Sequence, residues 1–124
     1  MRRFGWLAAA VLLMGAGAGA ETYLVYPNSV VTIQAAIDAA THGDVIELAD
    51  GVFRGPGNYN IEYQGKQITV RSQSGNAANC IIDCAPVSPP HGDYHRIGFI
   101  FDSFEGPGAI LQNVTIANGR ALDT

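Results

Sequence analysis

Residues 32–53 read TIQAAIDAATHGDVIELADGVF, a helical pattern set directly against a strand-like one. Thr32 is a good N-cap, and Ile33, Ala36, Ile37 and Ala40 fall at i, i+3, i+4 and i+7, one apolar stripe about two turns long. The stripe is rich in alanine, so the helix can lie close against whatever it covers, while Gln34 and Asp38 face water and Gly43 ends the pattern. A helix of about ten residues is marginal alone and must be held by packing.

Helical periodicity does not return. Six short strand-like runs follow, at Val45 to Leu48, Ile61 to Tyr63, Ile68 to Val70, Ile81 to Asp83, Phe99 to Phe101 and Val114 to Ile116. Alternate residues are apolar in most of them, and turn-formers such as Gly55-Pro56-Gly57-Asn58 and Ser74-Gly75-Asn76 lie between. The step from Val45 to Ile68 is about 23 residues, a circuit of three short strands and the size of a solenoid coil. Each strand would stack on its equivalent in the next coil, about 4.8 Å away, leaving the first coil with an open apolar end. A single amphipathic helix is a suitable lid, needed only once.

The chain ahead of this region reads as a secretory signal. Arg2 and Arg3 precede the apolar run Phe4 to Met14 and the small residues Gly15 to Ala20, with cleavage expected after Ala20. The run is shorter than the roughly 20 residues a membrane span needs, and no later segment serves. The expected product is exported, to the extracellular medium, the cell surface or the periplasm. Removing 20 of 124 residues leaves 104, one small domain, and moves the formal charge from −4 to −6 because both lost charges are arginines. Arg54, Lys66, Arg71, Arg96 and Arg120 are scattered along the sequence, which disfavours nucleic acid and anionic membranes as partners.

Cys80 and Cys84 bracket the strand-like Ile81-Ile82-Asp83. Four residues of strand span about 13 Å, whereas a disulfide needs Cα atoms within roughly 7 Å, so the two are not expected to bond each other.

The order "TIQAAIDAA", "GDVIEL", "DGVF", "GKQITVRSQSG", "IIDC", "GFIF" and "LQNVTIANG" resembles the N-terminal part of secreted right-handed parallel β-helix proteins of the pectin-lyase-like superfamily. In particular it resembles bacterial β-helix repeat proteins related to polymorphic outer-membrane proteins. The resemblance covers nearly the whole mature chain. It implies an all-β class, a right-handed parallel β-helix closed by a short N-terminal capping helix. Residues 21–124 would then form the cap and the first coils, about four at this spacing, of a longer product.

Function is less sharply marked, because the fold hosts lyases, hydrolases, adhesins and inert spacers. Polygalacturonases of this resemblance carry Asn-Thr-Asp, an Asp pair, Gly-His-Gly and Arg-Ile-Lys. Here only His91-Gly92 and Arg96-Ile97-Gly98 approach them. Glycoside hydrolysis needs two carboxyl groups roughly 5 to 9.5 Å apart, a pair that Asp83 and Asp102 would supply if their strands stacked; otherwise both are solvent-facing strand-edge residues. A lyase would hold Ca²⁺ on carboxylates beside a basic residue, and Asp93, Asp102 and Glu105, with Arg96 between them, are the candidates. No other cofactor is indicated. His91, Asp93 and His95 alternate as transition-metal ligands do on an extended segment, while Pro89-Pro90 and Gly92 favour a projecting loop. Within that loop Tyr94, His95 and Arg96 are the candidates for contact with sugar. The expected function is a secreted or cell-surface module with a structural, adhesive or polysaccharide-binding role, not catalytic on its own. The alternative is the N-terminal part of a polysaccharide lyase or glycoside hydrolase whose catalytic coils lie beyond Thr124.

Overall fold

The computed structural model describes residues 12–14, 19–86 and 95–120. Its elements in chain order are β1 (Leu12–Met14), β2 (Thr22–Val25), α1 (Ile33–Ala39), β3 (Val45–Leu48), β4 (Gly51–Phe53), β5 (Ile61–Glu62), β6 (Thr69–Ser72), β7 (Cys80–Asp83), β8 (Phe99–Ile100), β9 (Ile110–Gln112) and β10 (Thr115–Ala117).

The strands form three sheets. The first runs β1-β2-β3-β6-β9, the second has β7 between β4 and β10, and the third pairs β5 with β8. Every pair is parallel except β1 with β2. From β3 onward the chain visits the sheets in a fixed rotation: β3, β4, β5, then β6, β7, β8, then β9 and β10. Each strand therefore hydrogen-bonds to the strand of the same rank one pass later.

The spacing of passes differs from the sequence expectation. Val45 pairs with Thr69 rather than lying opposite Ile68. The step is 24 residues, as between Glu47 and Arg71, while the preceding step from Glu21 to Asp44 is 23. The next step lengthens to 41, as between Gln67 and Gly108, because more residues separate β7 from β8 and β8 from β9 than separate the corresponding strands of the pass before. Besides β1, three strands were not expected at all: β2, β4 and β9. The expected run Val114 to Ile116 is shifted to Thr115–Ala117, and Asn113, in the left-handed conformation at φ 59°, turns the chain between β9 and β10. β1 lies within the expected leader and adds the one antiparallel strand, with Leu12 opposite Leu24.

Alternation decides which side chains enter the core. In the first sheet Ile46 and Leu48 of β3 and Val70 of β6 are fully buried, stacked in register, while Glu47 and Arg71 stand between them on the outer face. Those two form an ion pair at 2.8 Å, partly exposed, of the kind that contributes under about 1 kcal/mol. In the second sheet Phe53 stacks on Ile82, and Ile82 on Ile116. Ile61 and Tyr63 fill the third side. Tyr63 is held by Phe99 edge-on at 6.2 Å and by Phe101 at 4.7 Å, and its hydroxyl donates to the Ile110 carbonyl. Burial pushes that hydroxyl well above the usual tyrosine range.

The helix α1 lies against β2, β3 and β5. Thr32 caps it by accepting from Ala35 N, and Ile33, Ala36 and Ile37 are buried beneath it. Its free N-terminal amides are met from outside: Ile33 N donates to Asn58 Oδ1 and Gln34 N to the Gly57 carbonyl, both at 2.9 Å. At the other end the Lys66 ammonium donates to the carbonyls of Ile37 and Asp38 at 2.7 and 3.1 Å, where a cation suits the helix dipole. Among the described residues no helix is long and apolar enough to cross a membrane.

Candidate functional site

Among the described residues a dense polar cluster lies where the second sheet ends, assembled from four separate stretches. Asp83, the last residue of β7, is only 6% exposed. Its Oδ2 accepts from Arg54 Nε at 2.9 Å; its Oδ1 accepts from Asn118 Nδ2 at 2.8 Å and from Ala85 N at 3.0 Å. Asn118 sits at φ 58° just after β10, a conformation asparagine tolerates, and this aims its amide back at the pass before it. The Asn118 amide, the Ala85 amide and the Arg54 guanidinium together hold the Asp83 carboxyl below its usual range. The expected solvent-facing position for Asp83 is therefore corrected: it is a buried acceptor at the centre of a corner.

Beside it runs the stretch from His95 that leads into β8. Arg96 and Arg120 form an antiparallel bridge, with Arg96 N donating to the Arg120 carbonyl at 2.8 Å and Arg120 N to the Arg96 carbonyl at 2.6 Å. The Arg96 guanidinium lies over the Tyr59 ring, 4.7 Å from its centroid. A cation over an aromatic face is attracted by the ring quadrupole, and the planar guanidinium is thereby held in one orientation. Asn60, at φ 51°, fixes the register: its side chain donates to the His95 carbonyl at 3.1 Å and accepts from Ile97 N at 2.8 Å.

The predicted site residues fall in different places. His95 is exposed and adjoins Arg96 at this corner. Tyr94, Asp93 and His91 lie outside the described residues. Asp102 and Glu105 belong to the loop after β8. Glu105 accepts from Gly65 N at 2.8 Å and Ser103 N at 2.9 Å, a clasp that pins this loop to the turn after β5; the Ser103 and Gly65 amides hold its carboxyl below the usual range. Asp102 is exposed and accepts from Ser103 Oγ at 3.3 Å. Among the described residues no three His, Cys, Asp or Glu side chains come together as a metal-holding group. The stacked pair of Asp83 and Asp102 is not formed. Asp83 ends β7, whose neighbours are β4 and β10, while Asp102 follows β8, whose neighbour is β5.

Nothing in the sequence pointed to Arg54, Tyr59 or Arg120 at this corner, since pairing across passes joins residues 29 to 37 positions apart, as Arg54 with Asp83 and Ile97 with Asn60. Nor did it single out Phe104, which is fully exposed at φ 63° on the tip of the loop clasped by Glu105.

Chemically the corner brings a carboxylate and guanidinium groups together. A general acid working near neutral pH needs a raised pKa, and both Asp83 and Glu105 are held ionised. What it presents is a buried carboxylate held by its own donors, Arg54 among them, and, in the neighbouring Arg96–Arg120 bridge, the Arg96 guanidinium over the Tyr59 ring with exposed His95 next in sequence. Cys80 and Cys84 are free thiols in the core beneath; burial, with Asp50 adding to it, pushes Cys80 up to about 11, and burial raises Cys84 as well. Comparison of the chain with family models, with curated proteins and with solved structures finds no match in any of the three.

Proposed function

We propose that the chain forms the cap and opening coils of an exported right-handed parallel β-helix, and that it serves as a structural, adhesive or polysaccharide-binding module. The observation that carries this reading is the fixed rotation of strands among three parallel sheets, with each strand one pass ahead of its hydrogen-bonded partner. Such stacking yields long regular faces on which side chains from successive passes line up, the geometry that suits an extended polymer rather than a small metabolite. The corner of Tyr59, His95 and Arg96, next to Arg120, supplies an aromatic ring and fixed donors of the kind that hold sugar hydroxyls and carboxylates.

The test is retention on immobilised plant and bacterial polysaccharides and on a glycan array. The parent is expected to be retained by at least one glycan, and Arg96→Ala to lose about tenfold in affinity, the order of one or two charged hydrogen bonds. Arg71→Ala, on the outer face of the first sheet, is the control and keeps parental binding. Absence of retention on every glycan, or equal retention by Arg96→Ala, overturns the binding role. Release of unsaturated sugars, seen as new ultraviolet absorbance, overturns the non-catalytic reading in favour of a lyase.

A further inference from the structure

Glu21 is the first residue expected after cleavage of the leader, and its backbone nitrogen is not free. It donates to Asp44 Oδ1 at 2.9 Å. Asp44 is only 3% exposed, in the turn between α1 and β3. Its other oxygen accepts from Thr41 N at 2.8 Å and from Thr41 Oγ1 at 3.3 Å. The backbone around it is equally engaged: Val45 N donates to the Glu21 carbonyl at 2.8 Å, and Thr69 N to the Asp44 carbonyl at 3.1 Å. Asp44 thus stands between three successive passes of the first sheet. Among the described residues it takes part in neither of the two ion pairs, Arg54 with Asp83 and Arg71 with Glu47. A buried carboxylate with neutral donors alone carries a desolvation cost that a cation would offset.

We propose that cleavage of the Ala20–Glu21 bond supplies that cation: the new α-ammonium of Glu21 forms an ion pair with Asp44 and locks the first strand of the mature chain onto the next. The inference rests on the export reading above. In the hydrolysis, water gives its hydroxyl to the Ala20 carbonyl carbon and a proton to the Glu21 nitrogen, the C–N bond breaks, and the amine takes a second proton from solvent. Ala20 is exposed, so the bond is open to a leader endopeptidase. The nitrogen needs no movement, because it already lies within charge-assisted hydrogen-bond distance of the carboxylate. The same cleavage removes β1, so the pairing lost along the outer edge of β2 is replaced by a charged tether at its start.

The groups that face this nitrogen are Asp44, the Glu21 carboxylate, the Tyr23 hydroxyl, which contacts Glu21 Oε1 at 3.5 Å, and, farther off, Lys66, which the charge of Asp44 reaches. Tyr23 is already pushed upward by burial and by the charges of Asp44 and Glu21, and it stays neutral through the range in which an α-amine titrates. Two carboxylates against one distant ammonium favour the protonated amine. Its folded-state pKa then lies above the ordinary value of about 7.7–8.0. The pair stabilises the fold fully below that ordinary value, and the contribution is lost as pH rises through the folded value.

The exported chain is purified, its first residue read by sequencing and intact mass, and its α-amine converted to the ¹³C-dimethyl form, which keeps the charge, for titration by NMR. The expected result is Glu21 as first residue and an α-amine titrating at least about one pH unit higher in the folded chain than in urea. Asp44→Asn is expected to abolish the difference. A chain that retains Ala20 at its start, with Asp44 intact, is expected to unfold at lower denaturant concentration than the chain starting at Glu21, and this comparison stands even if Asp44→Asn fails to fold. Equal titration in folded and unfolded chains starting at Glu21 overturns the ion pair and leaves export standing. A first residue other than Glu21 overturns the expected cleavage site and the inference with it.

Discussion

Gly57 is a residue on which the seating of α1 depends narrowly. It adopts φ +90°, and a Cβ added there would lie 2.5 Å from Thr32 Oγ1, 2.7 Å from Thr32 Cβ and 2.8 Å from Thr32 Cγ2. Thr32 is the N-cap of α1, and the Gly57 carbonyl itself receives Gln34 N. Gly57→Ala therefore has three costs. Forcing a side chain into the left-handed region costs about 1 kcal/mol. Displacing Thr32 forfeits a cap bond of about 1 kcal/mol. Stretching the bond from Gln34 N to the carbonyl costs about 1 kcal/mol more. The sum, about 3 kcal/mol, corresponds to a fall in Tm of roughly 12–24 °C for a domain near this size. Thr32→Gly removes all three clashing atoms, and glycine at an N-cap costs only a few tenths of a kcal/mol. The double variant should then recover about 1–2 kcal/mol of the loss, a coupling that urea denaturation followed by circular dichroism measures directly. Additive effects in the double variant, or a Gly57→Ala chain within about 0.5 kcal/mol of the parent, would refute the packing argument.

Ile37→Asp places a charge on a side chain with no exposure beneath the helix and is expected to lower stability by several kcal/mol, whereas Asp38→Ala, on the exposed face, changes it by less than about 0.5; parental melting of Ile37→Asp would remove the helix from any role in covering the core. Asp83 has its folded pKa lowered by Asn118, the Ala85 amide and Arg54, so its contribution is present above the unfolded-state pKa and is lost as pH falls through the folded value. Asp83→Ala should cost about 1–3 kcal/mol at pH 7 and flatten the acid limb of the stability curve; an unchanged acid limb counts against the assigned partners. Cys80 and Cys84, buried thiols held protonated, should react with a thiol reagent only as fast as the chain unfolds, and a Cys80–Cys84 linked peptide in a non-reduced digest would show that this segment is not the strand described.

Local features were legible because their causes are local. Thr32 followed by apolar residues at i+1, i+4, i+5 and i+8 admits one amphipathic helix, and the structure has it at Ile33–Ala39 with that cap. Alternation in Val45–Leu48 likewise gave a strand whose even members point inward. Strands carrying little alternation of their own were missed: Thr22–Val25, Gly51–Phe53 and Ile110–Gln112 become strands because a neighbouring pass offers a complementary row of amides and carbonyls. The register was missed by one residue for the same reason, since it is set by backbone ladders and by how many residues each corner consumes, neither of which has a sequence period. The polar corner was illegible throughout. Arg54, Asp83 and Asn118 meet only because β4, β7 and β10 are stacked, and Tyr59 meets Arg96 only because Asn60 pins the returning chain; the sequence determined which side chains could pair, and the stacking of passes decided which did.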